Sequence, residues 1–576
     1  MSKSAFIFLV LLFLISIPVH SQSDYKELSV PFISDANWNK TSKKMQADWA
    51  STMVHFDKHT CPFITKTNHL FLKGWKGEKL QAKVLVWSIK EEGELSFALS
   101  LPTNKKGMQL QLDSTTTGFL RYVMTDELAK DGKGGCGYRP DKTAFDSSLV
   151  ADVIDPIFRL KYEAKTVRPI WVTFQIPEHT ESGIYKGNLI VTTLTGSKKR
   201  LTYSIQVLNK AIPSSNEWTF HLDLWQNPFA IAREAKIPLW SEAHFAAMRP
   251  LMKRLAQSGQ KVITTSIIHK PWNGQTFDYF ESMISIMRKV DGSWIYDYTL
   301  FDKWVEFMHS CGINKQISCF SVIPWELTFR YIDQATNSMK DLVTTAGSDS
   351  FNDYWISMLS DFAKHLKEKG WFEKTVISMD ERPKKSMNAA LQVIYKADPL
   401  FKISLAGIYH EDLNHRIYDY CISYDDFYPT AAIEYRKKNK LITTFYTYCN
   451  QSFPNTFTFS TPAEAASYGY IAANRNLDGY LRWAYNSWVE TPLTDSRFHT
   501  WAAGDTYLVY PGNRSSVRFE KMIEGIENYE KINVLTKNKL QAQTIKKLLE
   551  QFSYEKLTPA KLIVAMEQIE KTLNYN

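Results

Sequence analysis

The stretch Lys374-Thr-Val-Ile-Ser-Met-Asp380-Glu381-Arg382-Pro383 reads as a short strand that runs out into two carboxylates. Val376 and Ile377 are β-branched and apolar, and the run is bounded by turn chemistry. Pro383 has no N–H to offer a ladder, so regular pairing stops before it. Side chains alternate along a strand, yet past the last paired residue Asp380 and Glu381 can both lean into one opening. Two acids at the carboxyl end of a strand suit acid–base chemistry, because each environment can set its own pKa. In isolation such a pair is more often a solvated loop with Arg382 as its ion-pair partner, so the surrounding chain decides.

On both sides of this stretch the hydrophobic period switches between two and 3.6. Strand-like runs are Trp218–Gln226, Val262–His269, Gln316–Pro324, Thr375–Asp380, Lys402–Tyr409, Asp419–Tyr424, Leu441–Tyr448 and Gly479–Asn486. Helical runs lie between most of them, among them Ser241–Gly259, Phe301–Cys311, Phe351–Lys369, Lys385–Lys396 and Pro462–Ala473. Ser241 is placed to cap the first of these helices and Gly259 to end it, with Pro250 predicting a kink. Eight β–α units across residues 215–515 predict a (β/α)8 barrel. A doubly wound open sheet is the alternative, but no glycine-rich phosphate loop follows the first strand. Residues 516–576 return to helix, beginning with the amphipathic Val517–Tyr529, and predict a short C-terminal helical segment.

Upstream, residues 22–214 are mostly β. Gln81–Ile89, Glu94–Leu101, Arg168–Pro177, Gly183–Thr193 and Leu201–Leu208 are short strands separated by turn residues, the pattern of a β-sandwich. Gly183 and Gly187 would allow a tight turn and a close strand crossing. The Gly-, Lys- and Asp-rich stretch 128–147 reads as a recognition loop or a surface excursion, the second being favoured. Residues 1–21 read as a secretory signal, with Lys3, the apolar run Ala5–Val19 and small residues at Val19-His20-Ser21. No cysteine follows closely and no later stretch is apolar enough to span a bilayer, so the chain is expected to be exported without a membrane anchor, to the periplasm or beyond. The six cysteines are sparse and lack a CxxC, which excludes a disulfide scaffold or zinc module. Cys319, Cys421 and Cys449 sit in apolar runs and are expected to be buried thiols.

Active sites of barrels sit at the carboxyl ends of their strands. Those ends carry Asp223, Trp225 and Gln226; His269 and Trp272; Trp325; Asp380 and Glu381; Tyr409, His410 and Glu411; Tyr424, Asp425 and Asp426; Tyr446 and Tyr448; and Trp483, Tyr485, Asn486 and Trp488. One tryptophan is ordinary core, but a ring of aromatic and polar groups suits the flat faces of a sugar. Trp225, His269, Trp325, Tyr446, Trp483, Tyr485, Asn486 and Trp488 are therefore candidate substrate-binding residues, and Asp380 and Glu381 candidate catalytic ones. Nothing indicates a metal or other cofactor. The charge of +9 is small for 576 residues and scattered, which argues against nucleic acid as a partner. Most glycosidases oppose two carboxylates across the scissile bond. Adjacent acids suggest another division of labour, in which Glu381 protonates the leaving oxygen and Asp380 orients a 2-acetamido group that acts as nucleophile.

With these residues assembled, the chain resembles glycoside hydrolase family 123, the exo-acting β-N-acetylgalactosaminidases. The resemblance rests on Trp75-Lys-Gly-Glu78, Gly183-Ile-Tyr-Lys-Gly187, Asp291-Gly-Ser-Trp294, Ile377-Ser-Met-Asp-Glu381, Pro454-Asn-Thr-Phe457, Leu481-Arg-Trp-Ala-Tyr-Asn-Ser-Trp488, Gly504-Asp505, Tyr510-Pro-Gly512 and Glu524-Gly-Ile-Glu-Asn-Tyr529, in that order. It implies a sandwich joined to a barrel and retaining hydrolysis of terminal β-linked N-acetylgalactosamine. By the same resemblance Asp380 stabilises an oxazolinium and Glu381 serves as acid and then base. From their position at strand ends alone, Tyr446 is expected on the acetamido oxygen and Trp483 and Trp488 along the sugar. The family pattern has a cysteine where this chain has Tyr448, followed here by Cys449. Two other readings stay open on the residues: a barrel glycosidase for another sugar such as N-acetylglucosamine, and a non-catalytic glycan-binding protein.

Overall fold

The computed structural model describes residues 25–30, 36–65, 67–126, 136, 137, 139 and 147–575. The expected leader, and most of the stretch 128–147, lie outside these residues. The N-terminal strands form two facing sheets. The larger orders Gln46–Ala50, Lys79–Ser88, Thr166–Gln175, Gly118–Asp126, Ser147–Asp155 and Ser515–Ser516, with Gln111–Leu112 paired to Thr166–Gln175. The smaller orders His69–Lys76, Lys198–Ala211, Gly183–Thr193, Gly93–Leu99 and Arg159–Tyr162. Inward-facing Val84, Val86, Phe97, Phe119, Val172, Phe174, Leu189 and Ile205 fill the space between them. Gly187 pairs with Tyr203, and a β-carbon on it would lie 2.3 Å from the tyrosine hydroxyl, so only glycine admits that ring.

Eight parallel strands build the second body: β1 (His221–Leu224), β2 (Val262–Ser266), β3 (Gln316–Phe320), β4 (Thr375–Met379), β5 (Lys402–Gly407), β6 (Asp419–Ser423), β7 (Ile442–Tyr446) and β8 (Gly479–Arg482). Each lies where the sequence pattern places it, but most end sooner. The ladder runs from β2 through β3 to β8 and on to β1, all in parallel register. Helices α1 (Pro228–Ala235) and α2 (Glu242–Gln257) follow β1, α3 (Thr299–Cys311) follows β2, α4 (Asp349–Glu368) follows β3, α5 (Lys384–Ala397) follows β4, α6 (Thr430–Lys438) follows β6 and α7 (Pro462–Asn474) follows β7. The link from β5 to β6 carries only the 3₁₀ turn Glu411–Leu413. Ser241 caps α2 by accepting the His244 N–H at 3.2 Å.

Between β1 and β2 the barrel does not close by a regular ladder. One bridge, Leu222 to Gln260, joins them. Two buried glutamine side chains complete the seam, because a primary amide carries the same donor and acceptor as a peptide unit. Gln226 Oε1 accepts the Thr264 N–H at 2.9 Å, and Gln226 Nε2 donates to the Val262 carbonyl at 3.2 Å. Gln260 Oε1 accepts the Leu224 N–H at 3.0 Å, while its Nε2 donates to the Leu224 and Val262 carbonyls at 3.2 and 2.7 Å.

The loops after β2 and β3 carry a four-stranded sheet that the sequence reading did not include: Ser285–Arg288, Trp294–Asp297, Thr328–Asp333 and Ser338–Val343. Asp291-Gly-Ser-Trp294 is the turn of its first hairpin. After β8 the chain adds Ser515–Ser516 to the sandwich edge and continues into α8 (Val517–Leu535), α9 (Lys539–Leu549) and α10 (Pro559–Leu573). Helix α8 is buried almost throughout, between α7 and the sandwich. Gly469 and Gly525 let the two helices touch backbone to backbone, since a β-carbon on Gly469 would sit 1.9 Å from the Gly525 carbonyl oxygen. On the sandwich side, Glu78 Oε1 meets Lys531 Nζ at 2.5 Å and Glu527 accepts the Lys79 N–H at 3.1 Å.

The seam sets an expectation for stability. Gln226→Leu leaves the Thr264 N–H buried without that acceptor, at a cost of about 1–3 kcal/mol. Pairing it with Gln260→Leu should cost at least the sum of the single changes, read from denaturant midpoints. A double variant within about 1 kcal/mol of the parent protein would remove both side chains from any part in closing the barrel.

Candidate active site

A cavity of about 280 Å³ opens at the carboxyl ends of the barrel strands. Asp380 and Glu381, the first two residues after β4, face into it with Trp225, Trp272, Trp325, Tyr446, Leu481, Trp483, Trp501 and Asp505. Its floor is aromatic. Trp225 and Trp272 lie with ring centroids 5.1 Å apart, and both pack on Phe320, at 4.4 and 5.0 Å. Polar contacts below and beside the rings fix them. Trp225 Nε1 donates to Asp223 Oδ2 at 3.3 Å inside the barrel, where burial first, and then the neighbouring Asp419, push the Asp223 carboxyl up to about 7. Trp272 Nε1 donates to Asp380 Oδ2 at 2.7 Å.

The two acids sit in different surroundings. Burial pushes the Asp380 carboxyl up to about 6; the Arg382 charge and the Trp272 hydrogen bond pull against it, and Glu381 adds to it. Glu381 is exposed along its length, but the protein packed around its carboxyl raises its pKa, with Arg382 opposing and Asp425 assisting. Tyr446 donates its hydroxyl hydrogen to Glu381 Oε1. Arg382 is held away from both acids by donating Nε to the Ile323 carbonyl at 3.1 Å and by lying 3.6 Å over the Trp325 ring. That stack holds Trp325 half-exposed at the rim.

The opposite wall is made by side chains that follow β7 and β8. Asp505 is buried, with Oδ1 accepting Arg482 Nη2 at 2.6 Å and Oδ2 accepting Trp483 Nε1 at 3.2 Å. Trp501 stands edge-on to Trp483 at 5.8 Å and donates Nε1 to the Gln275 carbonyl at 2.8 Å. Tyr448 donates to Asp425 Oδ2 at 2.9 Å. Cys449 is not the buried thiol expected of it. It forms a disulfide with Cys136, and both cysteines line the cavity. Cys319 and Cys421 are buried and free. Among the described residues no group of three or more His, Cys, Asp or Glu side chains is placed to hold a metal ion.

Of the residues singled out from sequence, Asp380, Glu381, Trp225, Trp325, Tyr446 and Trp483 meet in the cavity, and four do not. His269 pairs through Nδ1 with Glu281 at 2.5 Å, because β2 ends at Ser266 and the chain has already turned. Tyr485 is core, donating to the Leu251 carbonyl at 3.2 Å. Asn486 ties the ends of β8 and β1 together through both the N–H and the carbonyl of Asn227, at 2.9 and 2.8 Å. Trp488 is buried and donates to the Val509 carbonyl at 2.7 Å. These three follow Arg482, the last residue of β8, so strand alternation no longer directs them. Conversely, Trp272, Trp501, Asp505 and Tyr448 line the cavity without having been chosen, although Trp272 and Tyr448 stand at strand ends in the sequence and Gly504-Asp505 is a conspicuous pair.

The profile of the glycoside hydrolase 123 catalytic domain matches residues 225–535, and that of the glycoside hydrolase 123 N-terminal domain matches residues 49–193. The chain belongs to glycoside hydrolase family 123. A family 123 glycoside hydrolase from Clostridium perfringens, solved for the details of glycolipid glycan hydrolysis, superimposes with a TM-score of 0.83 at 26% identity, over 92% of this chain and 98% of that one. A GH5 xyloglucanase from Bacteroides ovatus in complex with a XXXG heptasaccharide aligns far more loosely, with a TM-score of 0.30 at 6% identity over 84% of this chain and 100% of that one. No curated protein matches. Membership of family 123 makes the chain a glycoside hydrolase, and a carbohydrate its substrate.

Trp272 offers a direct test of the acid pair. Trp272→Phe keeps a ring in the floor but removes the N–H from Asp380, and that hydrogen bond is one of the groups holding the Asp380 pKa down. The acid limb of the kcat/KM profile should therefore move to higher pH. An unmoved limb would separate Asp380 from that titration.

Proposed function

We propose that this hydrolase removes terminal β-linked N-acetylgalactosamine from glycans or glycolipids, with retention and with the substrate's own acetamido group as nucleophile. The observation that carries the reading is the disposition of the carboxylates lining the cavity. They are Asp380, Glu381 and Asp505. Both oxygens of Asp505 are committed to Arg482 and Trp483. The remaining two are neighbours in the chain, so neither stands across a glycosidic bond from the other as a protein nucleophile requires. The acetamido oxygen supplies the missing group, and the reaction runs in two steps.

In the first, Glu381 gives its proton to the leaving oxygen as the acetamido oxygen attacks the anomeric carbon. Asp380, ionised and held by Trp272, stabilises the positive charge that spreads over the oxazolinium. In the second, Glu381 takes a proton from water, which opens the oxazolinium from the face the leaving group vacated. Burial raises the Glu381 pKa above the usual carboxylate range, which favours the proton-donating form, and Tyr446 orients its carboxyl. Asp380 must lose its proton to act, so activity falls as pH drops through about 6. The flat rings of Trp225, Trp272, Trp483 and Trp501 give the sugar apolar faces. Export, expected from the leader, is supported by the Cys136–Cys449 disulfide, a bond that persists in oxidising compartments.

Hydrolysis of three aryl β-glycosides tests the reading: the N-acetylgalactosaminide, the N-acetylglucosaminide and the plain galactoside. A strong preference for the first is expected. Turnover of the plain galactoside would require a protein nucleophile and overturn the mechanism, while a preference for the second would reassign the sugar. Glu381→Gln should lower kcat about 10²–10⁴-fold on poor leaving groups and far less on activated aryl glycosides, which need little proton donation. Asp380→Asn should cost about 10²–10³-fold on both, because its charge serves the oxazolinium whatever departs.

A further inference from the structure

The cavity is not built from the barrel alone. Cys136 lies between the sandwich strands Gly118–Asp126 and Ser147–Asp155, and Cys449 follows β7; the disulfide joins residues 313 positions apart. Beside it, Gly137 donates its N–H to the Thr500 carbonyl at 3.2 Å, and Arg139 donates its N–H to the His499 carbonyl. Arg139 Nη1 reaches Asp126 Oδ2 at 3.5 Å, and Asp126 Oδ1 accepts the Ala503 N–H at 2.9 Å. The segment 499–503, which carries Trp501, is thereby stitched to the sandwich from both ends. Cys449 is the residue after Tyr448, whose hydroxyl is itself bonded to Asp425. The cystine lines the cavity, with Cys136 exposed.

Resting on the sugar-hydrolase reading above, we infer that the Cys136–Cys449 cystine is a specificity-determining wall of the cavity. It holds Tyr448 on one side and the Trp501 segment on the other, and the enzyme keeps its affinity for the sugar only while the bond is intact. The sandwich is then part of the binding site. The remaining cysteines, Cys61, Cys311, Cys319 and Cys421, are already free thiols, so this cystine is the bond that a reductant acts on. With dithiothreitol the reaction is thiol–disulfide exchange: one reductant thiolate attacks a cystine sulfur and the second displaces the mixed disulfide. This leaves two protein thiols and the cyclic oxidised reductant.

The test compares untreated enzyme, enzyme reduced with dithiothreitol, and the Cys136→Ser/Cys449→Ser variant. Alkylation in denaturant without reductant should label four of the six cysteines in the untreated enzyme and all six after reduction. On the aryl N-acetylgalactosaminide, reduction should raise KM about tenfold with kcat held within about twofold. The melting temperature should fall by only a few degrees. The double variant should match the reduced enzyme and ignore dithiothreitol. Six labelled thiols without reductant, or an unchanged KM after reduction, overturns the proposal. A loss of activity that merely tracks unfolding also overturns it, because it reduces the bond to a staple. Quenching of tryptophan emission by acrylamide, which should increase on reduction as Trp501 and Trp483 open to solvent, needs no substrate. If the aryl glycoside is not turned over, the sugar assignment falls, while the wall stands or falls by this quenching.

Discussion

A parallel barrel must satisfy every backbone N–H and carbonyl around its circumference, and this chain meets that constraint at its weakest point with side chains. Where β1 and β2 diverge, Gln226 and Gln260 reproduce the missing peptide units. Each buried group left alone would cost about 1–3 kcal/mol, so the seam is a large term against a marginal net stability. Closing it has a geometric consequence as well as an energetic one. Gln226 directly follows Trp225, and its backbone N–H is bonded to Thr264 Oγ1 at 3.2 Å. The seam therefore fixes the ring that floors the cavity, and β2 leads on to Trp272, the donor to Asp380.

Electrostatics then work against the fold at the proposed catalytic pair. Asp380 is half-buried at the cavity with one indole N–H as its direct donor, and burial pushes its carboxyl up to about 6. A raised carboxylate pKa means that the folded state disfavours the charged form, so ionising Asp380 withdraws stability as pH climbs from the unfolded-state value through the folded one. Arg382 is close enough to moderate this cost, yet its stack on Trp325 and its bond to the Ile323 carbonyl stop it from closing a salt bridge onto either acid. The result is a pair of carboxylates whose charge remains available to a substrate. Strain of this kind belongs at an active site, where stability is traded for reactivity.

Much of this was legible in the sequence, and the failures have definite causes. Val376-Ile377 followed by Asp380-Glu381 marks β4 and its products because strand pattern and turn chemistry are both local. The same pattern misleads after β8: Trp483-Ala-Tyr485-Asn486 continues an alternation that the ladder abandons at Arg482, so Tyr485, Asn486 and Trp488 point into the core and not the cavity. Trp501 and Asp505 reach the site from a loop, where no periodicity announces direction. The disulfide was invisible for a different reason. Sparse cysteines carry no pairing information, and Cys449 in an apolar run looks like any buried thiol. The four-stranded sheet over the barrel is made of strands of four to six residues inside loops, too short for their alternation to stand out.

A cavity walled by two domains works only if those domains do not move against each other, and α8 is where that rigidity originates. It lies against α7 through the Gly469–Gly525 contact and presents Lys531 and Glu527 to the sandwich hairpin at Trp75–Lys79. Burial first, and then the neighbouring Glu78, drive the Glu527 carboxyl well up; Glu527 accepts the Lys79 N–H, while Glu78 pairs with Lys531. Buried polar pairs add little net stability but demand one arrangement, because any slippage leaves a group unpaired in a dry interface. Trp75 extends the same logic to the C-terminus, donating its indole N–H to the Leu573 carbonyl at the end of α10 at 3.3 Å. The helices after the barrel are thus not an appendage. They fix the sandwich in the orientation that carries Cys136 to the rim of β7, and the cavity takes its final wall from that alignment.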